Sequence, residues 1–428
     1  MTDQAILDIL LAEVKPALGC TGPISVAFAA AAAKDAVGGT PLQVRVLMDK
    51  DTYKNSIAVV TPGTPFMGVL KPAVTGAMYG DSSLGLEVLK TMKDFDQEKV
   101  ERFAKECATV EIKWDYEGMG VYIEAYVTTE NGIGHAVVAK SHANVVLLEA
   151  NEQLLKKDEF YFQDAHTFET KAPIRAFKIR DFYRFAKQVD REDISFLDEA
   201  LRINRALSEA GLKGKLGAGI GAAIQTLPGD PIYLRAKVLA AAASDARMSG
   251  ENLSAMSCAS SGNVGITASV PLIPIAEAFG CSHETLLRAV ALSYLMTIYI
   301  KSHIGRLSAM CACAIAASIG IGCGVSFLLD DDYDKIEMTI KNIVGSIGGV
   351  LCDGAKFGCA MKLSTAVGVA IESARMASIG AAIPDGDGIV CYSADDTLAM
   401  LGRIASNGML DADAYMCKEI IEREQHRE

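Results

Sequence analysis

The sequence is short of positive charge. Lys and Arg number 41 against 53 Asp and Glu, which leaves a formal charge of −12. That balance argues against a nucleic-acid partner, whose phosphates need a basic face to release counterions. It leaves small-molecule substrates open, because a local site can be basic inside an acidic protein. The N-terminal MTDQAILDIL carries Asp3 and Asp8 and lacks the basic and apolar regions of a secretory signal. Internal repeats and low-complexity linkers are missing. Large aliphatics are scarce in the one uncharged span long enough to cross a bilayer, AMCACAIAASIGIGCGVSFLL at 309–329. Its Ala, Gly, Ser and Cys make insertion marginal, so the expectation is a helix buried in a large core, with no membrane partner.

What is present is enough apolar material for substantial cores. Half of the 428 residues are hydrophobic, and the length suggests two domains. The 11 cysteines, an odd number, read as reduced thiols in a cytoplasm and not as a disulfide framework. Residues 4–16 show helical spacing of Ile6, Ile9, Leu10 and Val14, with Pro16 as the stop. An Ala-rich helix follows from about Pro23. LQVRVLMD, SIAVVT, ATVEIKW, GVYIEAYVTT and GHAVVAKSHANVVLLEA read as strands, with TENGIG as a hairpin turn. A helical DSSLGLEVLKTM interrupts them. After about residue 175 the patterns turn helical, with Gly-rich connectors. The expected fold class is α+β: N-terminal helices plus a mostly antiparallel sheet module over 1–175, then a large all-α domain over 176–428.

Four stretches hold residues suited to chemistry. In PALGCTGPIS, Thr21 is a suitable N-cap and Pro23 suits a first helical turn, so Cys20 stands just ahead of a helix N-terminus. Unpaired N–H groups and the helix dipole there favour a thiolate. The alternative reading is a small residue filling a tight turn. Cys311 and Cys313 in RLSAMCAC, with Cys352 and Cys359 in CDGAKFGC, match neither zinc-finger nor ferredoxin spacing. Three such thiols suffice to hold an iron–sulfur cluster with one open iron; core packing is the competing reading. His303 and Arg306 would flank such a cluster. The Ser257–Gly265 loop, with Ser260 and Asn263, offers amides and hydroxyls for a carboxylate or phosphate, and Arg247 upstream offers a guanidinium. Lys54 and Asn55 precede VTPGT, and His142 and Asn144 fall inside a strand pattern. With Thr21 these complete the candidate substrate contacts; solvated loops and structural side chains are the alternatives.

VKPALGCTGPIS, VTPGT, AASDARM, SSGNVGITA, RLSAMC and CDGAKFGCAMKLST occur in this order. Together they resemble the L-cysteine desulfidase family, relatives of the α chain of iron–sulfur L-serine dehydratases. The resemblance runs from about residue 5 to about 400. It implies a 4Fe–4S cluster held by Cys311, Cys352 and Cys359, which puts the cluster in 176–428 and leaves Cys313 outside the ligand set. It implies a catalytic Cys20. The implied reaction is α,β-elimination on an L-amino acid: L-cysteine to pyruvate, ammonia and sulfide, or L-serine to pyruvate and ammonia. The partner is then a small L-amino acid, and the chain a monomer or a homo-oligomer in the cytoplasm. One position departs from the family. Relatives commonly read GCTEP, and this chain has Gly22 where they have glutamate. A pyridoxal-phosphate lyase, and an amino-acid-binding homologue that has lost its chemistry through Gly22, are the competing functions.

Overall fold

A computed structural model describes residues 3–19, 21–114, 116, 121–159, 172–214, 216–305 and 307–425. Among these residues eight strands run β1 (Val14–Leu18), β2 (Pro41–Asp49), β3 (Ala108–Lys113), β4 (Tyr122–Thr129), β5 (Gly132–Ala139), β6 (Val145–Ala150), β7 (Gln153–Lys157) and β8 (Ser254–Cys258). The first helices are α1 (Asp3–Glu13), α2 (Thr21–Val37), α3 (Lys50–Lys54), α4 (Leu70–Tyr79) and α5 (Gln97–Cys107). The later half contributes α6 (Ile179–Gln188), α7 (Leu197–Lys213), α8 (Ile220–Ile224), α9 (Pro231–Met248), α10 (Gly262–Thr267) and α11 (Leu272–Ala278). It continues with α12 (His283–Ile304), α13 (Ala316–Leu329), α14 (Tyr333–Ile347), α15 (Cys359–Ser378), α16 (Ala394–Arg403) and α17 (Leu410–Gln425). The fold is α+β, as the sequence patterns indicate.

Six strands form one sheet in the order β3-β2-β4-β5-β6-β7, antiparallel throughout except for the parallel β2–β3 pair. Val44, Val46 and Met48 on β2 and Ile123, Ala125 and Val127 on β4 bury one face against α2 and its neighbours. Residues Thr21 to Ala33 of α2 are all buried, which its Ala-rich sequence permits by letting other backbones come close. At Gly76 of α4 a Cβ would stand 2.0 Å from the Ala27 carbonyl, so only glycine allows that helix contact.

A second core gathers the helices after residue 172. It takes in α1 as well: Ile6, Leu7 and Leu10 bury their side chains in the same cluster as Phe177, Phe182 and Phe185. Directly after α1, β1 pairs antiparallel with β8, Pro16 opposite Met256. The chain therefore starts in the helical half and then crosses to the sheet.

Several local expectations change. The first helix ends at Glu13, and Pro16 lies in β1, a two-stranded ribbon whose outer edge tolerates a residue without N–H. SIAVVT is no strand. It makes single bridges, Ala58 with Lys356 and Val60 with Met67, because it runs between the two halves and not along the sheet. GHAVVAKSHANVVLLEA is two strands, and His142 and Asn144 lie on the turn between them, where Lys140 takes φ +67°. DSSLGLEVLKTM holds only a 3-10 turn at Ser82–Glu87. The uncharged span at 309–329 is helical only over Ala316–Leu329, and no helix among the described residues is long and apolar enough to cross a membrane.

Candidate functional site

A cavity of about 930 Å³, its open mouth included, lies where the sheet half meets the helical half. Local capping sets its first wall. The Asp49 carboxylate caps α3 through the Asp51 and Thr52 amides and also accepts from the Tyr122 amide, so β2, α3 and β4 are tied at one point. That places Asn55 at the cavity, with its side-chain amide on the Asp51 carbonyl. Thr21 and Gly22, at the head of α2, line the cavity beside it. The hairpin turn comes in from the other side: Ser25 donates to the His142 carbonyl at 2.7 Å, fixing the turn to α2. His142 lines the cavity.

The helical half supplies the thiols. Cys311 N–H donates to the Val350 carbonyl at 2.9 Å and Cys352 N–H to the Ala309 carbonyl at 2.7 Å. With the Met310–Leu351 bridge, this makes a short antiparallel pairing that sets Cys311 beside Cys352. Cys359 opens α15 and is held by its N–H to the Lys356 carbonyl at 3.0 Å. All three line the cavity, and so does Cys313. The hydrogen bond with Cys313, followed by burial, pushes the Cys311 thiol up to about 12. The hydrogen bond with Cys311 and then burial raise Cys352 well above the ordinary range, and burial raises Cys359. Without metal these thiols hold their protons, and a metal taking them must displace those protons. Lysines surround the set. Lys362 donates to the Leu351 carbonyl at 2.7 Å and pairs with Asp353, and Lys356 pairs with the same carboxylate. Convergent thiols flanked by cations that offset thiolate charge fit a cysteine-held iron–sulfur cluster.

The same cavity is lined by Arg247, at the end of α9 and 3% exposed. Its Nη1 donates to Asn263 Oδ1 at 3.1 Å. Its Nε finds no hydrogen-bond partner, and no carboxylate pairs with it among the described residues. A buried guanidinium at a cavity without a counter-charge has the chemistry to pair with an anion. Next to it Ala259 and Ser260 adopt φ +47° and +67°, a left-handed conformation that is costly for residues with a Cβ. Lys301 of α12, itself buried, donates to the Ala259 carbonyl at 2.7 Å and holds that turn in place.

Of the residues singled out from the sequence, Thr21, Asn55, His142, Arg247, Ser260, Asn263, Cys311, Cys352 and Cys359 meet at this cavity. Lys54 does not: it is 2% exposed and ion-paired with Asp413 and Asp51. Asn144 lies outside too, with its amide on the Ala139 carbonyl, and lines an adjoining hollow. Cys20 and Arg306 lie outside the described residues. His303 turns to Arg175, 3.3 Å from its Nη2, and burial followed by that positive charge pushes it down to about 4. Cys258 is a core residue, its thiol on the Tyr294 carbonyl. Sequence reasoning missed Lys140, Lys301 and Lys362. Lys301 had a signal, a lone charge in the apolar run LSYLMTIYIKSHI. Lys362, one turn after Cys359, had another; Lys140 had none.

Gly22 is built in. A Cβ there would stand 2.7 Å from Ser56 Oγ and 2.9 Å from the Asn55 carbonyl oxygen, so the space a larger side chain needs is already filled.

A family model described as serine dehydratase alpha chain matches residues 83–418. The chain is 38% identical over 427 residues to a UPF0597 protein of Clostridium botulinum (strain Okra / Type B1), with 99% of each chain covered. It is 37% identical over 415 residues to one from Caldanaerobacter subterraneus subsp. tengcongensis, covering 95% of this chain and 96% of the relative. A third, from Desulfotalea psychrophila, is 35% identical over 436 residues with 99% of each covered.

Proposed function

The chain belongs to the serine dehydratase alpha chain family, and from that premise we propose that it is an iron–sulfur lyase acting by α,β-elimination on an L-amino acid. The substrate is L-cysteine, which yields pyruvate, ammonia and sulfide. L-Serine on the same site is the second reading. One observation carries the proposal: three thiols and a buried guanidinium with no carboxylate partner among the described residues line a single cavity.

In this reading Cys311, Cys352 and Cys359 hold a 4Fe–4S cluster, which when bound supplies an open iron as a Lewis acid for the departing sulfur or hydroxyl. Arg247 takes the substrate carboxylate, and Asn263 holds the guanidinium in plane for it. Ser260 and Asn55 orient the remaining polar groups, the first because Lys301 fixes its turn. Cys20 takes the Cα proton: it is next in sequence to Thr21, which with Gly22 lines the cavity at the head of α2. The work takes place in a reducing cytoplasm, where free thiols persist.

The test is an anaerobic iron and sulfide assay on reconstituted protein, joined to pyruvate formation from a panel of L-amino acids. Bound iron, brown colour and pyruvate with sulfide from L-cysteine are expected, and Cys352→Ala loses both colour and turnover. Reconstituted protein that binds no iron overturns the reading.

A further inference from the structure

The Lys54 side chain is buried away from the cavity, between the C-terminal helix and the turn that carries Cys352. Its Nζ pairs with Asp413 Oδ1 at 2.7 Å and with Asp51 Oδ1 at 3.0 Å. Asp413 is 3% exposed and lies in the first turn of α17. Lys50 joins the same two carboxylates, so two cations and two anions form a closed set. Geometry on the other side of Lys54 is equally tight. Gly354, two residues after Cys352, takes φ +88° and lies so close that a Cβ would stand 2.2 Å from the Lys54 carbonyl oxygen. The Ala58–Lys356 bridge ties the same two segments again. The Lys54 Cγ would stand 3.0 Å from a Cβ at Gly354, so the lysine side chain itself runs against the turn two residues from Cys352.

We propose that Lys54 and Asp413 are positioning residues for the iron–sulfur ligand Cys352. Through them α17 holds the 352–354 turn in place and sets the charge felt by the thiolate, without touching substrate. The inference rests on the cluster reading above. A cation beside a cluster favours its more negative, reduced state, and an anion opposes it; outer groups of this kind tune retention and potential. Lys54 supplies the positive charge, and Asp413 attenuates it and keeps it in place.

The two substitutions that break the pair therefore act in opposite directions on one observable. Reconstituted, full-length protein is titrated potentiometrically, with the cluster followed by electron paramagnetic resonance, and iron release to a chelator is timed. Lys54→Met should lower the midpoint potential and Asp413→Asn should raise it. Each should release iron about tenfold faster than the parent. Lys54→Arg keeps the charge and should keep the parent potential. If Lys54→Met does not fold, the near-isosteric Asp413→Asn still tests the idea through its upward shift. Potentials that stay unchanged, or that move the same way in both variants, overturn the proposal for a parent that holds its cluster. A parent that binds no cluster overturns the reading beneath it, and the proposal with it.

Discussion

Gly22→Ala tests the packing at the head of α2. Glycine to alanine within a helix ordinarily gains up to about 1 kcal/mol, from propensity and from a more restricted unfolded chain. Here the sign reverses. The new methyl would stand 2.7 Å from Ser56 Oγ and 2.9 Å from the Asn55 carbonyl oxygen. The second is main chain, and the Ser56 hydroxyl is buried and bound to the Thr52 carbonyl at 2.7 Å. Rotating that hydroxyl away leaves a buried group unpaired, at about 1–3 kcal/mol. Leaving it in place overpacks the contact, at about 1–3 kcal/mol. Taken at the middle of that range, about 2 kcal/mol, and offset by a helix gain of up to about 1, the net loss is about 1–2 kcal/mol. For a unit of 150–250 residues that is a fall of roughly 2–8 °C in Tm. Differential scanning calorimetry of the two proteins measures it. A Gly22→Ala protein as stable as its parent, or more stable, would refute the reasoning. The same crowding predicts that Gly22→Glu, which introduces the residue that the family resemblance implies at this position, gains no sulfide release. A gain would show that the missing carboxylate matters more than the contact.

Arg247→Met should raise KM about 30-fold or more for the amino acid, since truncating one side of a buried charge pair costs about 2–5 kcal/mol. Its Tm should hold or rise, because a buried charge without a counter-ion is removed; an unchanged KM would rule out the carboxylate role. Lys301→Met frees the Ala259 carbonyl, so hydrogen exchange across 258–262 should speed up and kcat/KM fall, whereas exchange matching the parent would show that the turn holds itself. On the outer sheet face, His135 bonds Glu149 at 2.8 Å and Glu124 at 3.0 Å. Burial lowers the His135 pKa, but the bonds to Glu124 and Glu149 outweigh it and the net shift is upward; the His135 bond first draws Glu124 down to about 2. The histidine contribution is full below its unfolded value near 6.5 and fades as pH rises through the higher folded one. The glutamate contribution is full above 4.5 and fades as pH falls towards 2. Stability from this network is therefore greatest between about pH 4.5 and 6.5, and His135→Gln should flatten the alkaline limb of a Tm-against-pH curve while an unaltered limb would count against it.

The α+β class and the run of helices after residue 175 were legible from periodicity, and the buried Ala-rich helix from its nearly all-apolar composition, because both signals are local. The cysteine segments were legible too, as motifs. Their meeting was not: Cys311 and Cys352 are 41 positions apart in sequence and come together only because residues 309–311 and 350–352 pair main chain to main chain. The same limit hid the opposite fates of two neighbours, Lys54 and Asn55. Both precede a strand-like stretch in sequence, yet one enters a buried ion cluster with Asp413 and the other faces the cavity. Which way each side chain points is set by the Asp49 cap on α3 and by the docking of α17, contacts between distant parts of the chain. For Gly22 the sequence by itself determined only that a glycine follows Cys20 and Thr21, and the family resemblance implied a glutamate there. Only the tertiary structure decided that its place is taken, because the space is filled by the Asn55 carbonyl and the Ser56 hydroxyl, more than thirty residues away along the chain.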